Sequence, residues 1–407
     1  MSEDLPHDNI LEGILPTESP AHTPRERPLE VFQAWHLPRK HHVRKHLWAK
    51  SLDRLLDTIP DRILVKYLGL PGEDLLDLQI FADVCRAKGR RLKYLGFDQS
   101  QNRTGASTQR VAAQQIIHQT NVVDTSSEVL PDDFTSIANQ QSIAYQHLHD
   151  GGSYDFVNLD MCDAFTAHAW SPTHDAVREL VTYQANHRAE PWLLSITTRT
   201  EVARLDRAEL DAYAGAITRN ATQSGDFCEC LADIADIQEA MEANVLTASI
   251  RERLAGDTYL SGRWLALGIG KWLLGMMAQA DPWRVDLLSI GAYRTGLLSH
   301  DGTRYAGEPA NLFSMTFRFG KIHHARNDPA GLANQPRAER VPVNELKLAE
   351  KLARCVRKNT HDIDRIMQEN AAAARELCDE CASLLEVRYY SPDAYRAWLG
   401  QLPRIAI

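Results

Sequence analysis

Residues 67–78 read Tyr-Leu-Gly-Leu-Pro-Gly-Glu-Asp-Leu-Leu-Asp-Leu, and residues 92–98 read Leu-Lys-Tyr-Leu-Gly-Phe-Asp. The apolar run from Ile63 to Leu68 and the glycines that follow it predict a strand that ends in a turn. Behind the turn, apolar residues have the spacing of one helix face: Leu76, Ile80, Phe81 and Val84. The second segment predicts a strand that ends at Asp98. Strand, glycine turn, helix, strand and acid, in this order, are typical of a nucleotide-binding βαβ unit.

The chemistry of such a unit follows from its geometry. Glycines let the backbone approach a ligand closely, and a helix N-terminus offers unpaired N–H groups. A carboxylate at the tip of the second strand can accept hydrogen bonds from both hydroxyls of a ribose. We therefore expect Gly69-Leu70-Pro71-Gly72 and Asp98 to form a cradle for an adenosine.

Strand-like and helix-like segments alternate through the next hundred residues. Strands are predicted at Asn121–Asp124, 154–163 and Trp192–Thr197, and helices at Thr108–His118 and His174–His187. This alternation implies a parallel sheet that binds its ligands at the carboxyl ends of the strands. Two later runs, Val285–Tyr293 and Leu312–Phe319, predict an antiparallel pair at the edge of the sheet.

The rest of the chain is predicted to be a tail and two sets of helices. Residues 1–35 hold five prolines and seven acids against Arg25 and Arg27, which predicts a disordered tail. Residues 36–325 predict a Rossmann-like domain with a helical insert at about 204–280. Residues 340–407 predict a helical C-terminal extension, whose last helix opens at Ser391-Pro392.

The totals are those of an ordinary soluble protein, with 44% hydrophobic and 24% charged residues among 407. The net charge of −9 lies largely in the tail, so it neither indicates nor excludes a nucleic-acid partner. Seven cysteines without a secretory signal predict a reduced, cytoplasmic location. The most apolar run, Trp264 to Met277, is too short to span a membrane and contains Lys271, so we expect a buried helix.

Two basic stretches are open to two interpretations. Residues 36–50 hold five Lys or Arg, four His and no acid. In residues 318–358, four basic residues share one helix face: Lys347, Lys351, Arg354 and Lys358. Each stretch is either a solvated helix face or a surface for phosphate or nucleic acid. Such charged helices are also candidates for docking a protein partner or a second copy of the chain.

Cysteine pairs invite a zinc interpretation. Cys228-x-Cys230 and Cys378-x-x-Cys381 both lie in segments with a helical pattern. A Cys-x-Cys on a helix points its thiols apart, so buried small side chains are the favoured interpretation and no metal is expected.

These strands, the acid after the second strand and the late hairpin resemble the class I S-adenosylmethionine-dependent methyltransferases. The sheet of that superfamily has seven strands, of which the last is inserted antiparallel. The resemblance implies that Gly69-Leu70-Pro71-Gly72 lie against the methionine moiety of S-adenosyl-L-methionine and that Asp98 binds the ribose. It further implies that Asp124 lies next to the adenine. The segment Asn158-Leu159-Asp160 would face the methyl donor and acceptor.

The activity implied by the resemblance is methyl transfer to an unidentified acceptor, either a small molecule or a nucleic acid. Asp160 is the best-placed catalytic residue, although a strand-end acid also often caps a turn. The Asn/Asp-Pro-Pro-Tyr/Phe motif is absent after strand four, and Cys162 follows Met161 rather than a proline. Base N-methylation and cytosine C5-methylation are therefore disfavoured. A Rossmann dehydrogenase is disfavoured because Gly-x-Gly-x-x-Gly is missing.

A second hypothesis belongs to a different class. The chain would be a catalytically silent methyltransferase-fold subunit, acting as a binding or scaffold module in a bacterial complex such as a defence system. Its glycine turn lacks the Gly-x-Gly core, and long amphipathic helices lie outside the predicted sheet.

Overall fold

The computed structural model describes residues 32–98, 106–161, 163–166, 172–231, 247–279, 283–294, 310–321 and 345–401. The predicted N-terminal tail lies almost wholly outside the described residues. The same holds for 232–246 within the predicted helical insert and for 322–344 before the C-terminal helices.

One mixed sheet organises the described residues, with strand order β3-β2-β1-β4-β5-β7-β6-β8. Strands β1 to β5 are mutually parallel, and β7 runs antiparallel to both β5 and β6. The strands are β1 Leu64–Gly69, β2 Arg91–Phe97, β3 Glu128–Leu130, β4 Phe156–Asp160, β5 Trp192–Arg199, β6 Trp283–Tyr293, β7 Leu312–Lys321 and β8 Thr360–Asp362. The predicted α/β class, the parallel sheet and the late antiparallel pair are therefore confirmed.

Helices connect the strands and cover both faces of the sheet. They are α1 Pro38–His42, α2 Lys50–Leu56, α3 Leu76–Ala87, α4 Ala106–His118, α5 Ile143–Gly151, α6 Pro172–His187, α7 Arg207–Ala221, α8 Gly225–Leu231, α9 Ala248–Gly256, α10 Thr258–Gln279, α11 Glu345–Lys358, α12 Ile363–Glu369, α13 Ala371–Glu386 and α14 Pro392–Gln401. A π-helical segment, Val43–Ala49, joins α1 to α2 without a break. Helix α14 begins at Pro392 after Ser391, as predicted, and the Ser391 hydroxyl accepts a hydrogen bond from the backbone N–H of Ala394.

The structure corrects two strand predictions. The third strand is Glu128–Leu130 rather than Asn121–Asp124, which contributes only one isolated bridge from Val123 to Leu92. Residues 360–362, predicted as helix, form an eighth strand that pairs in parallel with β6. A three-residue strand is too short to leave a period in the sequence, so pairing with β6 determines it rather than local propensity.

The sheet separates two apolar cores because its strands alternate their side chains. In β1, Tyr67 packs into the core under the N-terminal helices, whereas Leu68 packs into the core under the other helices. In β4, Phe156 faces the first core, and Val157 and Leu159 face the second. A sheet buried on both faces explains why its parallel strands read as continuous apolar runs.

Helix α10 is the buried helix predicted from the run Trp264 to Met277. Trp264, Leu267 and Leu273 have no exposed surface or almost none, and Lys271 reaches Glu345 at 3.0 Å. Among the described residues, no helix is long and apolar enough to cross a membrane.

The basic stretch 36–50 is folded into the interior. Five of its residues are buried: His36, Arg39, Lys40, His41 and Arg44. Each pairs with an acid from elsewhere in the chain: Asp74, Asp364, Asp160, Glu380 and Asp77, respectively. Both sequence interpretations are wrong for these five residues, which form neither a solvated face nor a surface that a nucleic acid could reach.

Beside these pairs, three histidines lie together between the π-helical segment and β8. The rings of His42 and His46 have centroids 4.6 Å apart, and His361 also acts on His42. Burial lowers the pKa of His42 to about 4, and the neighbouring His46, His361, His41 and Lys45 add to the effect.

We predict that the spacing around α10 makes two of its glycines respond oppositely to alanine. A Cβ at Gly262 would collide with the ring of Phe313, whereas a Cβ at Gly275 meets nothing within 4 Å. Gly262→Ala should lower the free energy of unfolding by about 1–3 kcal/mol through overpacking. Gly275→Ala should leave it unchanged or raise it by up to about 1 kcal/mol through helix propensity. Urea unfolding of both variants measures the difference, and equal midpoints would contradict this packing.

The histidine cluster predicts that stability falls with acid. The pKa of His42 is lower in the folded chain than in the unfolded one, so protonation favours unfolding as the pH falls from about 6.5 towards 4. Between pH 7 and pH 5, His42 should account for a loss on the order of 1–2 kcal/mol. The variant His42→Gln should flatten the pH dependence of urea unfolding in this window and run parallel to wild type above pH 7. Identical slopes below pH 6 would refute the assignment.

Candidate functional site

The carboxyl ends of four strands meet at one edge of the sheet. Gly69 ends β1, Asp98 follows β2, Asp160 ends β4, and Tyr293 ends β6. Strand β6 contributes here because β7 reverses between it and β5, so β6 runs in the direction of the parallel strands. The structure therefore brings most of the residues predicted from the sequence to one edge.

The predicted glycine turn follows β1 directly. The backbone N–H of Leu70 donates to the carbonyl of Asn158 at 3.2 Å, which holds the turn against the end of β4. The ring of Pro71 lies against Gly96 of β2, where a Cβ would come within 3.0 Å of Pro71 Cγ. Gly72 has φ +66°, a conformation suited to glycine, and the space beside it is open. The turn thus spans the ends of three adjacent strands.

Behind the turn, two polar side chains are buried without a hydrogen bond. Asn158 has no exposed surface, and within the described part of the chain neither its Oδ1 nor its Nδ2 has a partner of ordinary geometry. The hydroxyl of Tyr67 lies beside it and is likewise unsatisfied there. A Cβ at Gly69 would collide with this hydroxyl, so the position requires glycine. Such unsatisfied polar groups are rare in interiors and call for an explanation.

Asp98 lies at the tip of β2, as predicted, and its carboxylate is directed to α4. Oδ2 of Asp98 accepts a hydrogen bond from the guanidinium of Arg110 at 2.9 Å. Its backbone N–H donates to the carbonyl of Leu130, which extends the pairing of β2 with β3. A ribose bound here would therefore share this carboxylate with Arg110.

Asp124 does not lie at this edge, and the prediction that it follows the third strand is wrong. Its backbone N–H donates to the carbonyl of Leu92, near the start of β2. Its carboxylate accepts hydrogen bonds from Ser126 and reaches Arg91 at 3.4 Å. Since six residues of extended chain separate Leu92 from Asp98, the two acids lie roughly 20 Å apart along the strand. We therefore remove Asp124 from the candidate site.

The end of β4 presents alternate side chains to the two faces. Asn158 and Asp160 share the face of Tyr67 and Gly69, whereas Leu159 packs into the opposite core. Leu159 can therefore meet a ligand at this face only through its backbone.

Asp160 is paired with Lys40 of α1, a contact that the sequence did not indicate. Lys40 Nζ lies 2.5 Å from Oδ1 of Asp160 and 3.0 Å from the hydroxyl of Tyr293. The ammonium also lies over the ring of Trp48, 4.5 Å from its centroid. Burial lowers the pKa of Lys40, but the charges of Asp160 and Tyr293 outweigh it and raise the pKa above its ordinary value. Lys40 therefore carries its charge at neutral pH.

Two further buried ion pairs flank this one. The guanidinium of Arg44 binds Asp77 of α3, and that of Arg39 lies 3.1 Å from Asp364 of α12. Burial raises the pKa of Asp77, and Asp160 adds to this effect while Arg44 opposes it. Lys40 and Arg44 together balance Asp77 and Asp160, so this part of the edge is neutral.

Asp74, in the turn itself, binds three distant parts of the chain. Its carboxylate accepts hydrogen bonds from the side chains of Trp35, Gln109 and Tyr390, and it lies 2.8 Å from Nε2 of the fully buried His36. Its backbone carbonyl accepts a hydrogen bond from Arg388, close to the end of α13. These bonds lower the pKa of Asp74 to about 2 although burial acts to raise it. The C-terminal helices therefore close over the glycine turn.

The cysteine pairs lie on separate helices, α8 and α13, and Cys381 donates to the carbonyl of His36. Within the described ranges, no group of three or more His, Cys, Asp or Glu side chains has an arrangement that could hold a metal ion.

The edge fits the methyl donor of the resembling superfamily in its donor set and in one respect in its state. Gly72 leaves open space at the turn, Asp98 offers a carboxylate, and Asn158 offers a buried amide that lacks a partner in the described chain. The carboxylates of Asp98 and Asp160 are already shared with Arg110 and Lys40. Binding there would need these partners to move or to share their acids.

Comparison with solved structures gives distant likenesses. The plantazolicin methyltransferase BpumL in complex with SAH is 12% identical, with a TM-score of 0.30, and the match covers 70% of this chain and 85% of that chain. The plantazolicin methyltransferase BamL gives 12% and 0.30, covering 70% and 89%. The mitomycin 7-O-methyltransferase MmcR gives 9% and 0.25, covering 72% and 61%. At these values the likenesses carry no argument about function.

Comparison with protein families gives a match over nearly the whole chain. No curated protein matches the sequence. The model of the PP_RS20740-like family matches residues 29–400, which include every described strand. The chain therefore belongs to the PP_RS20740-like family.

Proposed function

We propose that the chain binds S-adenosyl-L-methionine at the carboxyl edge between β1 and β4 and transfers its methyl group to an unidentified acceptor. The observation that carries the proposal is the buried, unsatisfied amide of Asn158, set beside the glycine turn and two residues before Asp160. Leaving such an amide unpaired costs about 1–3 kcal/mol, which a ligand would recover. The position is where α/β sheets of this kind bind ligands, because β1 and β4 diverge there to opposite sides of the sheet.

In this proposal each residue of the edge has a distinct task. The backbone of Gly69 to Gly72 lies against the methionine moiety, Asp98 accepts the ribose hydroxyls, and Asn158 hydrogen-bonds the donor. The donor supplies an activated methyl group, so that the chain has mainly to align the acceptor with it. Asp160 is proposed as the catalytic residue, which orients the acceptor or takes its proton. Lys40 engages Oδ1 of Asp160, which leaves Oδ2 to face the acceptor.

A second candidate is the catalytically silent scaffold module, and one observation favours it. The acids at the edge already have internal partners: Asp74, Asp98 and Asp160 bind Tyr390, Arg110 and Lys40. A sheet edge that is neutralised from within can be stable without a cofactor. Size-exclusion chromatography with light scattering and a pull-down from the source cell separate the two functions. A monomer that turns over small acceptors excludes the module.

Nucleic acid as acceptor now rests on residues 318–358 alone. Lys351 of this stretch is exposed and reaches Asp286 at 2.6 Å, and 322–344 lie outside the described residues. Binding that weakens steeply with salt would support this partner, since phosphate contacts release counterions.

The adenosine cradle is tested with two aspartates of the same strand neighbourhood. Calorimetric titration with S-adenosylhomocysteine should show binding to the wild type, and Asp98→Asn should weaken it at least tenfold because the ribose loses a charged acceptor. Asp124→Asn is the matched control and should bind like the wild type, since Asp124 lies at the far end of β2. Thermal unfolding shows whether each variant is folded.

Two outcomes would count against the cradle. Absence of heat with either S-adenosylmethionine or S-adenosylhomocysteine would overturn the proposed function. Equal losses in the two aspartate variants would place the ligand elsewhere than at the tip of β2.

A further inference from the structure

The surroundings of the Lys40 ammonium have the chemistry of a cation-binding subsite. One carboxylate oxygen of Asp160 lies 2.5 Å from Nζ, and the hydroxyl of Tyr293 lies 3.0 Å away. The ring of Trp48 lies beneath the charge, with its centroid 4.5 Å from Nζ. An aromatic face together with a carboxylate is how proteins recognise alkylated cations, because the ring and the acid attract charge without requiring several N–H donors.

The walls of this subsite are fixed independently of Lys40. The indole N–H of Trp48 donates to the hydroxyl of Ser314 in β7 at 2.9 Å, which orients the ring. Asp160 is the last residue of β4, and Tyr293 is the last residue of β6, so the sheet places both. Trp48 and Tyr293 are almost fully buried. Removing the lysine side chain would therefore leave its acid and ring in place.

Lys40 enters this subsite from outside the sheet. It lies in the first helix of the described chain, and its side chain is almost fully buried although it belongs to a stretch of nine basic residues. Asp160 is the strand-end acid that faces the methyl group in the proposed function. Lys40 thus carries a fixed positive charge at the place where a sulfonium would lie.

We propose that Asp160, Trp48 and Tyr293 form a cation subsite for the sulfonium of the methyl donor and that the ammonium of Lys40 fills it in the free protein. This inference rests on the proposed function and adds a specificity residue to it. Donor binding requires the ammonium to leave or to tolerate a second positive charge a few ångströms away. S-adenosylhomocysteine is a neutral thioether at this atom and meets no such repulsion. Lys40 therefore sets the preference between donor and product.

The experiment compares two ligands that differ in this one charge. Dissociation constants for S-adenosylmethionine and S-adenosylhomocysteine are measured by calorimetry on the full chain. In the wild type, the homocysteine form should bind at least tenfold more tightly. In Lys40→Met, which removes the charge but keeps the length of the side chain, the ratio should shift towards the methionine form by at least tenfold.

Matched variants separate the subsite from general effects of charge. Lys45→Met removes a lysine of the same helical segment that pairs with Glu380 outside the subsite, and its ratio should stay within twofold of wild type. Lys40→Met combined with Asp160→Asn should lose most of the gain, because the sulfonium then lacks its acid. Lys40→Ala serves as a second single variant if the methionine variant does not fold.

The outcomes distinguish this inference from the proposed function. If both ligands bind but Lys40→Met leaves their ratio unchanged, the subsite is refuted while donor binding stands. If the wild type binds the methionine form as tightly as the homocysteine form, the subsite is refuted without any variant. If neither ligand binds to the wild type or to the variants, the proposed function fails and the subsite fails with it.

Discussion

The burial of charge by the first helices is the constraint on which the rest of the described structure depends. Lys40, Arg44 and Arg39 lie in the interior, and each needs an acid within reach: Asp160 of β4, Asp77 of α3 and Asp364 of α12. Removing one partner of a buried pair leaves an uncompensated charge, at a cost of about 3–5 kcal/mol. The helix can therefore pack in only one register, and that register positions the end of β4, the start of α3 and the C-terminal helices together.

This constraint connects the turn after β1 to parts of the chain that are remote in sequence. Asp74 binds Trp35 and His36 before the first helix and Tyr390 near the end of the chain. Arg388 holds its backbone carbonyl, and Tyr395 donates to the carbonyl of His36. The chain termini of the described region thus close over the same turn. A ligand that enters at the turn must displace or share these contacts, so binding there is coupled to the packing of both ends.

The sequence predicted those features that leave a local signal. Continuous apolar runs marked β1, β2 and β5, and the glycines marked the turn, because burial and backbone conformation constrain residue type at each position. Asp124 was misplaced because a three-residue strand at 128–130 has no readable period and an earlier apolar run resembled it. The fate of the basic stretch was not predictable, since its partners Asp74, Asp77, Asp160 and Asp364 are acids of ordinary spacing. Only the tertiary fold pairs them.

The composition of the edge favours ligand binding over a purely structural role. Buried ion pairs often stabilise a fold no more than apolar residues of the same volume would, so three of them in one place are a poor means of building a scaffold. The unsatisfied amide of Asn158 adds a cost that an apolar side chain would avoid. Proteins tolerate such local costs chiefly at functional sites. A neutral, aromatic-lined edge that holds its own lysine in place of a ligand accounts for both features, because the charges that stabilise the free protein are then the ones that receive the donor.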